Sequence, residues 1–113
     1  MTERKRPAAL RGTTVALETN CGKLYVTVNR DPDTGLPVEV FCRFGKAGGC
    51  GSAVMDGLTR MITRGLLSGM DPQVVVRDLA GISCHRGAAT CLDALAEAVA
   101  LALDEGKGED RCP

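Results

Sequence analysis

Four cysteines sit where a metal ion could use them. Cys21 lies in the tight turn Asn20-Cys21-Gly22, Cys50 in the corner Gly48-Gly49-Cys50-Gly51-Ser52, Cys84 in Gly81-Ile82-Ser83-Cys84-His85, and Cys91 in Thr90-Cys91-Leu92-Asp93. A structural zinc ion takes four soft ligands in a tetrahedron, on backbone able to curl closely around it. Glycine after Cys21 and on both sides of Cys50 permits that approach. Cys50 and Cys91 are also expected at helix N-termini, where free amides and the helix dipole favour thiolate over thiol. No Cys-x-x-Cys pair is present, so the residues alone leave a metal site and a set of reduced thiols as alternatives.

The remaining candidates read more plainly. His85 beside Cys84 could replace a thiol as ligand, but an exposed loop imidazole is the simpler reading. Cys42 shares the apolar face of a strand with Val38, Val40 and Phe44 and is taken as a small core residue outside the site. Cys112 lies in a polar C-terminal tail, either inert or free for exchange. Gly45-Lys46-Ala47-Gly48-Gly49 before a helix lacks the Walker pattern, so Lys46 is read as a loop charge. A Cys84–His85 nucleophile pair is disfavoured because sequence neighbours rarely converge. Asp31 and Asp33 belong to a turn.

These residues need a scaffold, and 113 residues suffice for one domain. Apolar content is 44% but aromatic content only 3%, with no Trp, so the core must be aliphatic; a metal cross-link would reinforce it. Fourteen basic and fourteen acidic residues leave no global field for nucleic acid or an anionic membrane. Arg4-Lys5-Arg6 is read as a solvated leader. Neither a signal peptide nor a membrane span is evident, which predicts a cytoplasmic protein whose cysteines are thiols or metal ligands and not disulfides.

The elements follow from periodicity. Thr14-Val15-Ala16-Leu17-Glu18 and Leu24-Tyr25-Val26-Thr27-Val28-Asn29 alternate as strands joined at Cys21-Gly22, and Asp31-Pro32-Asp33-Thr34-Gly35 ends the second. A third strand spans Pro37 to Phe44. The period then changes to 3.6: Val54, Leu58, Met61, Ile62 and Leu66 form one stripe of a helix near 53–68, with Ser52 as N-cap and Gly69 as C′. Asp71-Pro72 opens a short helix near 72–79 that stops at Gly81. Thr90 and Asp93 form a capping box for a third helix, which buries Leu92, Leu95, Val99 and Leu103.

Cys21-Gly22-Lys23-Leu24-Tyr25-Val26-Thr27-Val28-Asn29, Gly45-Lys46-Ala47-Gly48-Gly49-Cys50, Gly81-Ile82-Ser83-Cys84 and Thr90-Cys91-Leu92-Asp93-Ala94-Leu95 together resemble, in order, the TSCPD domain. That domain occurs at the C-terminus of adenosylcobalamin-dependent (class II) ribonucleotide reductases and as short stand-alone proteins. The resemblance covers residues 13–103. The naming motif Thr-Ser-Cys-Pro-Asp stands here as Ala89-Thr90-Cys91-Leu92-Asp93, which keeps Cys and Asp, and the Cys-Pro of the third motif is Cys84-His85. The cysteines falling on the family pattern are Cys21, Cys50, Cys84 and Cys91, the set already marked by local chemistry.

The expectation is an α+β fold: a three-stranded antiparallel meander followed by three helices packed on one face, with a cysteine-rich metal site. Residues 1–12 form a flexible lead, 13–103 the domain and 104–113 a flexible tail. Zinc is preferred to an iron–sulfur cluster because it needs no redox partner or assembly route. The resemblance implies a metal-binding accessory or regulatory module associated with ribonucleotide reductase or another nucleotide enzyme. The chain lacks room for the family's catalytic barrel, so it is not expected to be an enzyme by itself. The alternatives are a thiol redox protein passing electrons to the reductase and a zinc-knuckle-like nucleic-acid binder. Homo-oligomerisation stays open.

Overall fold

The computed structural model describes residues 3–20, 22–45, 50–82 and 90–111. Three strands, β1 (Arg11–Thr19), β2 (Gly22–Arg30) and β3 (Pro37–Phe44), precede three helices, α1 (Cys50–Leu67), α2 (Pro72–Leu79) and α3 (Cys91–Arg111). The strands form an antiparallel sheet in sequence order, so β2 is central. The expected meander and the α+β class are therefore present.

Alternation puts Leu24, Val26 and Val28 of β2 on the inward face with no exposure, and Val40 of β3 joins them. Opposite them α3 supplies Leu95, Ala98, Val99 and Ala102, all fully buried. Alanine at these positions lets the helix backbone approach the sheet. Asp31-Pro32-Asp33-Thr34-Gly35 is the turn its residues predict: the Gly35 N–H donates to the Asp31 carbonyl at 2.8 Å, and Gly35 takes φ +74°.

The helices depart from expectation in three ways. First, α1 starts at Cys50, so Ser52 lies inside the first turn and is not the N-cap. Second, its buried stripe is Met55, Thr59, Ile62 and Leu66, while Val54 and Met61 are 66% and 68% exposed. The reason is where α1 lies. It packs on β3, the strand at the sheet's margin, and the Thr63 hydroxyl donates to the Val40 carbonyl (3.2 Å) and accepts from the Val40 N–H (3.0 Å). Turning Thr63 toward that edge rotates Val54 and Met61 outward. Third, only α1 and α3 cover the sheet, whereas α2 packs chiefly on α3 through Val75. The expectation of three helices on one sheet face is corrected accordingly.

The signals at the end of α1 and the start of α2 hold. Gly69 takes φ +102° after α1, with the Met70 N–H bonded to the Gly65 carbonyl at 2.9 Å. Asp71 caps α2 by accepting from the Gln73 N–H at 2.9 Å, ahead of Pro72. α3 continues to Arg111, through the segment read as a tail. None of the described helices is long and apolar enough to cross a membrane.

The N-terminal segment makes specific contacts. The Arg4 N–H donates to the Leu67 carbonyl (2.8 Å), Arg64 pairs with Glu3 (3.0 Å), and Arg6 grips both oxygens of Glu39 at 2.5 and 3.1 Å. The Asn29 amide donates to the same carboxylate at 2.7 Å. Burial pushes the Glu39 carboxyl up, but hydrogen bonds from Arg6 and Asn29 and the Arg6 charge hold it below its ordinary value. A Cβ at Gly12 would run into the Asn29 side chain and lie 2.6 Å from the Val28 carbonyl, so glycine keeps this support in place.

The edge contact is testable. Thr63→Val keeps the shape and leaves both backbone groups of Val40 unpaired, which should cost about 1–2 kcal/mol and lower Tm by several degrees. Thr63→Ser, which retains the hydroxyl, should melt much closer to the wild type in the same calorimetric scan.

Candidate metal centre

The start of α3 is the best-defined part of the site. Thr90 is its N-cap: the Thr90 hydroxyl accepts from the Asp93 N–H at 3.1 Å, and the Thr90 carbonyl accepts from the Ala94 N–H at 3.0 Å. The expected return contact from Asp93 goes elsewhere. Its carboxylate accepts from the Gly81 N–H at 2.7 Å, while the Thr90 hydroxyl donates to the Ile82 carbonyl at 2.5 Å. Thr90 and Asp93 therefore clamp the two ends of the 82–90 connection together at the helix start. Nothing local in the sequence announces a bond across eleven intervening residues.

Cys91 is the first residue of α3, as expected, and its half-buried thiol donates to the Thr19 hydroxyl at 3.9 Å. Thr19 ends β1, pairs with Gly22, and donates to the Gly22 carbonyl at 2.7 Å. Gly22 holds φ +116°, a value that favours glycine. On the next strand pair, the Gly45 N–H bonds the Lys23 carbonyl at 2.9 Å, tying the end of β3 to this hairpin. Cys50 is the first residue of α1. The hairpin, the end of β3 and the start of α3 thus meet at one end of the sheet.

Cys21, Cys84, His85 and Cys112 lie outside the described residues, as does the Cys50 side chain. Of the four proposed ligands, the described side chains include Cys91 alone. Among the described residues, no group of three or more Cys, His, Asp or Glu gathers into a metal-sized cluster.

Cys42 behaves as the strand pattern predicts. It packs against the aliphatic cluster, and its thiol donates to the Met55 carbonyl at 3.9 Å. Burial, followed by the charges of Cys91 and Asp56, pushes its pKa up from 9.0 to about 11. Cys91 packs against the same aliphatic cluster, a shared environment strand alternation does not reveal.

Two outcomes follow. Asp93→Ala removes the bond to Gly81 and an acidic group from the first turn of α3, and should cost about 1–2 kcal/mol in thermal unfolding. Cys42 stays protonated through neutral pH, so the stabilisation linked to its raised pKa is intact below pH 9 and is lost as pH rises toward 11. At pH 8 it should carry about a hundredfold less thiolate than a thiol with a pKa of 9.0. Alkylation followed by peptide mass mapping should accordingly find Cys42 among the slowest cysteines.

No curated protein and no solved structure matches the chain significantly. The sequence profile of the TSCPD domain matches residues 1–103, which takes in the N-terminal segment as well as the sheet and all three helices up to Leu103. A match over nearly the whole chain, on a fold whose hairpin, corner and α3 start carry the motif residues, makes this protein a member of the TSCPD domain family.

Proposed function

We propose that this chain is a small metal-binding accessory module for ribonucleotide reductase or a related nucleotide enzyme, acting in the reducing cytoplasm, with zinc held by Cys21, Cys50, Cys84 and Cys91. The observation that carries the reading is the meeting of the Thr19–Gly22 hairpin, the Gly45 corner and the clamped start of α3 at one end of the sheet. Those described segments flank all four cysteines in sequence. Two of the four, Cys50 and Cys91, open helices, where thiolate is favoured over thiol. Four thiolates are a donor set that suits zinc.

Bound there, zinc would cross-link the hairpin, the corner and the helix start, reinforcing an aliphatic core. The chain's own residues prepare that junction: Thr90 and Asp93 close the 82–90 connection, and Gly22 lets the hairpin bend beside Cys91. Association with a reductase rests on family membership, since the domain is known as an appendage to that enzyme.

Elemental analysis of protein purified without a metal-binding tag should find about one zinc per chain, and chelation should lower Tm sharply. Cys91→Ser should lose the metal while Cys42→Ser retains it. Metal-free protein with every thiol titratable and melting unchanged by chelator would overturn the site.

A further inference from the structure

α1 and α3 cover one face of the sheet; on the other, Arg6 of the N-terminal segment reaches Glu39 and the part around Phe41 is left open. On that open face the register sets Tyr25 opposite Arg43 and Thr27 opposite Phe41, making Tyr25 and Phe41 diagonal neighbours on adjacent strands. The sequence holds only three aromatic residues, one Tyr and two Phe. The core is built from aliphatic side chains, yet two of the three rings stand on the solvent side, with Phe41 53% exposed. The Arg43 guanidinium lies 5.8 Å from the centre of the Tyr25 ring, and no carboxylate among the described residues pairs with it. Beside them the Thr14 and Thr27 hydroxyls meet at 2.9 Å. Thr14, Tyr25, Thr27, Phe41, Cys42 and Arg43 line a shallow depression of about 300 Å³, at the small end of ligand clefts.

We infer that this face binds unpaired bases of a single-stranded nucleic acid, with Phe41 and Tyr25 as stacking surfaces and Arg43 as the contact to a phosphate or a base plane. Rings on an open sheet offer flat surfaces to successive unpaired bases, and guanidinium planes stack on bases in the same way. The chemistry of the face argues against a protein partner. Its outward side chains are Thr14, Ala16, Glu18, Lys23, Tyr25, Thr27, Asn29, Glu39, Phe41 and Arg43, with Glu39 paired to Arg6, so it presents no Leu, Ile, Val or Met to bury. Duplex binding is disfavoured too, because a chain with fourteen charges of each sign lacks the many phosphate contacts a duplex requires. Stacking does not need net charge. Tyr25 borders Gly45 at the edge of the cysteine junction, but none of the proposed metal ligands lines the site.

Fluorescence anisotropy of the full chain with labelled ten-nucleotide oligo(U) and oligo(dT) tests the inference, alongside a ten-base-pair duplex and over a range of salt. Saturable binding of the single strands is expected, preferred over the duplex, with a shallow salt slope of about −0.7 for each phosphate contacted. Phe41→Ala should weaken binding about tenfold or more, Phe41→Tyr should restore it, and Arg43→Ala should flatten the salt slope. Because Phe41 and Arg43 are exposed, the variants should melt with the wild type, so a change in binding would not reflect unfolding. Absence of saturable binding, equal affinity for Phe41→Ala, or equal affinity for the duplex would overturn the inference. Self-association abolished by Phe41→Ala without oligonucleotide binding would also overturn it, and would identify the face as an interface between copies.

Discussion

Leu24, Val26 and Val28 run down the middle strand with no exposure, and Leu95, Ala98, Val99 and Ala102 of α3 press onto them. Each fully buried Leu or Val removes enough apolar surface from water to contribute about 1.5–3 kcal/mol, against roughly 1 kcal/mol or less for an exposed ion pair such as Arg60–Asp56. This seam therefore dominates, and the other contacts position elements around it. Since β2 has a strand on either side, its inward face can be covered only by a helix. The small alanines of α3 let that helix come close without a large side chain in between.

The margins of the sheet need other means. β3 would present unpaired backbone groups along its outer edge, a template for association with another strand. Thr63 satisfies Val40 there, and Arg4 bonds the carbonyl of Leu67 at the end of α1. Glu39, at the far end of β3, is almost buried, and it remains ionised because Arg6 and Asn29 converge on it. Charge and hydrogen bonding here seal a region that apolar side chains do not fill.

At the opposite end of the sheet, two thiols of one chain sit in contrasting surroundings. Cys42, on a strand and packed on aliphatic side chains, has its proton held on. Cys91, at the start of α3, packs against the same cluster but also donates to the Thr19 hydroxyl and sits on the first turn of a helix. The same side chain thus finds different polar partners in the two places, and the difference comes from the element that presents it.

Strand alternation, the Asp31–Gly35 turn, Asp71-Pro72, Gly69 and Thr90 were all legible in the sequence because each acts through neighbours within a few residues. So was the helix-opening position of Cys91. Contacts whose partners are distant in sequence were not. The buried face of α1 was misread because the helix lies along a strand edge that exists only once the sheet has formed. Asp93 fits a local capping box, but its carboxylate turns to Gly81, which reaches it only through tertiary packing. Tyr25 and Phe41 alternate outward in any strand reading; only the register across β2 and β3 makes them neighbours. Sequence by itself determined the elements and the turns and caps between several of them, through local hydrogen bonding and periodicity. The tertiary structure alone decided which faces meet and which stay open, because those choices depend on the simultaneous burial of residues far apart in the chain.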